Sequence, residues 1–243
     1  VIEFETLTLL PPEEAWQPGP TAFRGSDTER LYRHSVKTQP PEWPWRDRPV
    51  HYTMNSLGYR GPEFTPDLLN SSTWLLGCSW AYGVGVDDRE TIGHYLSEIL
   101  GHPVANLSQG GTSIGWTCDQ LTMLLRQGLR PLNIAVIWTE PTRVAWWGSQ
   151  GPDQPRLKHQ LSRAHSEDEL HSDHRAWLDI QCFRQRAQLM GVSLAEVTWN
   201  LRVQAITSVT GLLQIDTARD LQHPGPNSNK EAAKILAQLL DRE

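Results

Sequence analysis

Three polar side chains stand in settings where a serine could act as a nucleophile. Ser79 lies in Trp74-Leu75-Leu76-Gly77-Cys78-Ser79-Trp80-Ala81-Tyr82-Gly83-Val84-Gly85, an apolar run broken by Gly77 and followed by glycines. Such a run reads as a buried strand, central in a parallel sheet. A serine at its carboxyl end sits where open α/β sheets place their ligands. An ester-cleaving serine needs a base to take its proton and a group to orient that base. Asp220 and His223 stand three apart in Asp220-Leu221-Gln222-His223-Pro224-Gly225-Pro226. A loop stiffened in this way, just after the last expected strand, can aim both side chains at the edge of the sheet. The same chemistry needs donors where negative charge develops on the carbonyl oxygen.

The elements that must position these groups follow from periodicity and punctuation. Residues 1 to about 50 carry many prolines (Pro11, Pro12, Pro18, Pro20, Pro40, Pro41, Pro44, Pro49) and little periodicity. Because Pro restricts itself and the residue before it, this stretch reads as an arm, 1–50, wrapped on a domain spanning 51–243. A short helix is expected near Asp27–Arg33, and Trp16, Trp43 and Trp45 are its anchors, on the domain or on a partner subunit. Asp88 is the expected cap of a helix to Leu100, with Ile92, Tyr95, Leu96, Ile99 and Leu100 on one face. Val104–Leu107 and Ile134–Trp138 read as strands, with a helix over 116–127 between them. Val144–Ala164, rich in Gly, Pro and Gln, reads as a long loop. Ser166 and Glu169 form a capping box for a helix to Met190, and Ser228 and Glu231 a second for the last helix. Val192–Val197 and Leu212–Ile215 are the fourth and fifth strands. Strands alternating with helices predict a three-layer α/β/α domain with a mostly parallel five-stranded, flavodoxin-like sheet.

The wording Gly77-Cys78-Ser79 followed by Gly83 resembles the first block of the SGNH (GDSL-type) hydrolases, and Asp220-x-x-His223-Pro224 resembles their last. Asn55-Ser56-Leu57-Gly58-Tyr59-Arg60-Gly61-Pro62-Glu63 is similar to a segment that precedes the serine block in many such proteins. The resemblance covers about Asn55 to Leu240. It implies Ser79 as nucleophile, His223 as general base and acid, and Asp220 as the orienting carboxylate. Asn106-Leu107-Ser108-Gln109-Gly110-Gly111 resembles the second block, which makes Gly111, or alternatively Gly110, an oxyanion donor beside the N–H of Ser79. The pattern departs twice. Thr139 stands where the third block usually has Asn, and Cys78 where the first usually has Asp.

Other groups have competing readings. Cys78 could be a nucleophile, but adjacent side chains diverge and a small buried residue fits better. His165, His171, Asp173 and His174 suggest a metal, against a solvated helix face. Arg60 reads as a substrate contact or a structural ion pair. Glu140 and Arg143 pair structurally or shape the pocket. Trp146 and Trp147, near the expected pocket mouth, stack on sugar rings, hold an acyl chain, or cover the core edge.

Composition bounds the rest. A net charge of −6 over 243 residues, with no block of Lys and Arg, argues against nucleic acid. No apolar run approaches the ~20 residues of a membrane span, and no signal pattern is present. Three scattered cysteines fit reduced thiols in a cytosolic-type protein and lack metal-ligand spacing. The chain begins at Val1 rather than Met, as a processed chain or a piece of a longer one would. The expectation is a serine esterase without cofactor or metal, acting on a small ester such as an O-acetylated carbohydrate. An acyltransferase using the same residues is the near alternative. A binding or structural module is the distant one, in a virion, a surface assembly or a homo-oligomer joined through the arm.

Overall fold

The computed structural model describes residues 7–10, 17–149, 155–161 and 166–242. In chain order they form β1 (Gly19–Thr21), α1 (Glu29–Thr38), β2 (Tyr52–Met54), α2 (Pro66–Asn70), β3 (Thr73–Gly77) and α3 (Ser79–Tyr82). A 3-10 turn (Asp88–Glu90), α4 (Ile92–Leu100), β4 (Val104–Asn106), α5 (Ile114–Arg126) and β5 (Asn133–Trp138) follow. Then come β6 (Arg143–Ser149), β7 (Pro155–Leu161), α6 (Ser166–Met190), β8 (Ser193–Thr198), α7 (Leu201–Thr207), β9 (Thr210–Gly211) and α8 (Pro226–Leu240).

Five strands form one parallel sheet in the order β4-β3-β5-β8-β9. This is the expected three-layer, flavodoxin-like class. Successive side chains of a strand face opposite ways, and the sheet is apolar on both sides. Trp74, Leu76, Ile134, Val136 and Trp138 pack with Trp116 and Leu121 of α5 and with Ile180 and Phe183 of α6. Leu75, Ala135, Ile137, Ala195 and Val197 pack with Ile92 and Leu96 of α4 and with Ala233 and Leu236 of α8. Gly77 closes β3 at φ +146°, and a Cβ there would lie 2.6 Å from the Ile137 carbonyl oxygen, so the strand end requires glycine.

The arm makes a third cluster. Trp43 and Trp45 are buried with Val50, Tyr52 and Met54 against Tyr82, Val84 and Val86 of the segment after Ser79 and against Ala218. The helix expected near Asp27–Arg33 is α1, capped by Thr28, whose hydroxyl accepts from Leu31 N at 3.2 Å. Trp16 lies outside the described residues.

Several local expectations are corrected. The stretch 144–164 holds a hairpin, β6 antiparallel to β7 with Arg143 opposite Leu161 and Ser149 opposite Pro155. In sequence, strand-forming Val144, Trp146 and Trp147 precede Gly151-Pro152-Asp153. The fifth strand is Thr210–Gly211, not 212–215, because Leu213 and Ile215 leave the sheet and are exposed. Asp87 caps the 3-10 turn and Thr91 caps α4, in place of Asp88. Asp88 instead binds Arg60 and Thr53. Ile99 is exposed rather than inward. Helix α5 begins at Ile114, capped by Ser113. Helix α8 begins at Pro226 without a side-chain cap, since Ser228 Oγ is taken by Asp216 Oδ1 at 2.7 Å. Helix α6 spans the expected range, and the side chains of its proposed capping box lie outside the described residues. Among the described residues no helix is long and apolar enough to cross a membrane.

Candidate active site

Ser79 is the first residue of α3, directly after Cys78, and is buried. The register fixes its neighbours. Gly77 pairs with Ile137, so Ser79 and Thr139 each stand two residues beyond the same rung. Leu75 pairs with Asn106 on the other side, which brings Ser108–Gly111 to the same edge. Gln109 N and Thr112 Oγ1 both donate to the Gly77 carbonyl at 3.3 Å, tying that turn to the end of β3. Asn106 Nδ2 donates to Ala81 O at 3.1 Å, and its Oδ1 accepts from Ser108, so one side chain locks the turn to the helix carrying Ser79. Gly111 is exposed with φ +75°, a conformation glycine adopts without strain.

Asp220 and His223 occupy the turn between β9 and α8. His223 Nδ1 lies 2.6 Å from Asp220 Oδ2, and Asp220 Oδ1 accepts the backbone N–H of Gln222 at 3.1 Å and of His223 at 3.0 Å. Burial pushes the Asp220 carboxyl up. The hydrogen bond and charge of His223, with the hydrogen bond from Ser26, outweigh it and leave the carboxyl below the usual carboxylate range. This turn rests on the glycine-rich segment after Ser79. Arg219 N donates to Gly85 O at 2.9 Å, and a Cβ on Gly85 would lie 2.7 Å from Ala218 Cβ. The serine block and the Asp-x-x-His block are therefore in direct contact.

Ser79 and His223 are not hydrogen-bonded to each other; the polar neighbour of Ser79 Oγ is Cys78 Sγ at 4.0 Å. Cys78 is fully buried, as a small core residue would be. The Thr139 hydroxyl is buried at the strand end, without a hydrogen-bond partner among the described residues. Arg143 Nε contacts Glu140 Oε2 at 3.1 Å, so these two pair, and Arg143 Nη1 is buried without a partner among the described residues. Trp146 and Trp147 lie on β6, and their side chains are outside the described residues. Trp80, next to Ser79, packs edge-on against Trp199 at 5.8 Å.

Arg60 is structural. It is buried, binds Asp88 at 2.7 Å, stacks on Tyr52 at 4.4 Å, and donates to the carbonyls of Gly83 and Val86. His165 lies outside the described residues, and among those described no group of three His, Cys, Asp or Glu side chains could hold a metal.

Sequence reasoning missed two arm residues. Ser26 Oγ donates to Asp220 Oδ2 at 2.6 Å, and Asp27 pairs with Arg219 at 2.7 Å. A contact spanning 194 residues leaves no local pattern to read.

No protein-family model matches the chain, and no curated protein does. Solved structures align over most of its length. A protein of Desulfitobacterium hafniense assigned to the G-D-S-L lipolytic family aligns at 9% identity and TM-score 0.46, over 70% of this chain and 100% of that one. A carbohydrate esterase family 2 enzyme of Corynascus thermopiles (Myceliophthora fergusii) aligns at 11% and 0.48, over 76% and 69%. An acetyl xylan esterase of the rumen bacterium Butyrivibrio proteoclasticus aligns at 12% and 0.47, over 75% and 64%. At these identities and scores nothing about activity passes from them to this chain.

Proposed function

We propose that this chain is a divergent SGNH-type serine ester hydrolase in which Ser79 is the nucleophile, His223 the general base and acid, and Asp220 the orienting carboxylate. The observation that carries the reading is the 2.6 Å Asp220–His223 contact on a turn packed against the serine block. With Nδ1–H directed at Asp220, the ring presents Nε2 as the base, and the carboxylate stabilises the imidazolium once the Ser79 proton is taken. The N–H groups of Ser79 and Gly111 and the hydroxyl of Thr139 are the proposed donors to the oxyanion. The acyl-enzyme is then hydrolysed by water that His223 deprotonates. The hydrogen bond between Ser79 and His223, not made in this structure, would form when substrate arrives.

The proposed substrate is a small acyl ester, such as an O-acetyl group on a carbohydrate. Arg143, Trp146 and Trp147 are the proposed contacts, and no cofactor is called for. Transfer of the acyl group to another hydroxyl uses the same residues. A second reading, a binding module without turnover, draws on the missing Ser79–His223 hydrogen bond and on the replacement of the third-block Asn by Thr139.

Turnover of a short-chain aryl acetate by the purified chain, beside Ser79→Ala, decides between them. Loss of turnover in the variant is the expected result. Equal rates in both proteins would remove the hydrolase reading and leave the binding one.

A further inference from the structure

We propose that Ser26, on the N-terminal arm, is a positioning residue of the Asp220–His223 pair, so that the arm is part of the catalytic machinery. The inference rests on the hydrolase reading above. Ser26 Oγ donates to Asp220 Oδ2 at 2.6 Å, the same oxygen that faces His223 Nδ1, and lies 3.5 Å from that nitrogen. The other oxygen, Oδ1, accepts the N–H groups of Gln222 and His223. A carboxylate has about four acceptor sites, and here four donors occupy them. The Asp220 side chain is fully buried. Rotation of the carboxylate about its Cβ–Cγ bond would break all four contacts together. Ser26 also covers the Nδ1 edge of the ring, away from the edge that must face Ser79.

Ser26 is held there by its neighbour. Asp27 is buried and binds Arg219 through two oxygens at 2.9 and 2.7 Å, and the Tyr52 hydroxyl donates to it at 2.5 Å. The guanidinium of Arg219 lies on the Phe23 ring at 4.6 Å and also binds the Ala22 carbonyl. The Tyr52 oxygen accepts from Gly85 N at 2.7 Å. The arm, the glycine segment after Ser79 and the Asp-x-x-His turn thus share one chain of hydrogen bonds. Removing one partner of a buried ion pair is strongly destabilising, which pins residue 26 within reach of Asp220. A serine hydroxyl that only filled space would not need that anchoring.

The test compares wild type, Ser26→Ala and Ser26→Thr for kcat and KM on an aryl acetate. It also follows the low-field proton resonance of His223 Nδ1–H, assigned by its loss in His223→Gln. The expected result is a kcat about tenfold lower in Ser26→Ala, the size of one hydrogen bond to a charged group. KM stays within about twofold, because the contact is made to the base and not to the substrate. Ser26→Thr, which keeps the hydroxyl, restores most of kcat. The low-field resonance moves upfield or broadens in Ser26→Ala alone. Unchanged kcat and an unchanged resonance would overturn the proposal, as would a loss that threonine does not rescue. Should Ser26→Ala fail to fold, Ser26→Cys keeps the size with a weaker donor and carries the same comparison. If Ser79→Ala proves as active as wild type, the hydrolase reading falls, and the resonance still reports by itself whether Ser26 fixes the Asp220–His223 contact.

Discussion

Thr139 has a buried hydroxyl with no partner among the described residues, a condition that costs about 1–3 kcal/mol in a folded protein. On the proposed mechanism its partner exists only while negative charge develops on the substrate oxygen. Thr139→Val is nearly isosteric and removes the donor. The expected outcome is a kcat lower by about 10²-fold with a melting temperature equal to or above wild type. A hydroxyl serving the fold would give the reverse, a lower melting temperature and intact kcat. Asp220 makes a second prediction at this scale. Its carboxyl lies below the usual range when folded, so its contribution is fully present above the unfolded value of about 4. It is lost as pH falls through the lower folded value. In urea melts, the stability gap between wild type and Asp220→Asn should therefore narrow as the pH is taken below about 4. A gap constant down to pH 2 would show that the carboxylate is not stabilised by its partners. The proposed catalytic residues Ser79, Asp220 and His223 stand out in the sequence because glycine and proline mark off their blocks. Ser26 and Asp27 do not, since each acts through tertiary contacts with no signature in neighbouring residues.

The serine segment keeps its shape through Arg60 more than through its own hydrogen bonds. Gly83 and Val86 offer carbonyls to one guanidinium, which is also paired with Asp88 and stacked on Tyr52. Removing it takes a donor from several buried carbonyls and leaves the Asp88 carboxylate with Thr53 but without its cation. Arg60→Ala should lower the unfolding free energy by about 3 kcal/mol in denaturant titration, and a loss under about 0.5 kcal/mol, the range of ordinary surface substitutions, would contradict this account. The same residue shows why element boundaries slip in a sequence reading. Asp88 looks like a helix cap, but Arg60 claims its carboxylate, and the capping passes to Asp87 and Thr91. Ser228 is likewise diverted to Asp216. The hairpin formed by β6 and β7 was hidden because the glycine, proline and glutamine of the stretch dominated its composition. The central strands were legible for the opposite reason, being short apolar runs with clean breaks.

Across the molecule, the parallel sheet was readable because alternating apolar runs and amphipathic helices admit few arrangements. The path of the arm was not, because proline-rich chain carries little periodicity. Its tryptophans announced burial without saying against what, and Trp43 and Trp45 turn out to face the segment after Ser79. That path bears on how the molecule is made. The bond between Ser26 and Asp220 spans 194 residues, nearly the whole distance along the chain. Along the chain the arm precedes the turn that carries Asp220, so Ser26 must wait for Asp220, while the arm's contacts with Tyr52, Tyr82 and Val84 can form earlier. Contacts this distant in sequence form late and slowly. On the proposed mechanism, a growing chain that has not yet exposed Asp220 and His223 would hold Ser79 without its base.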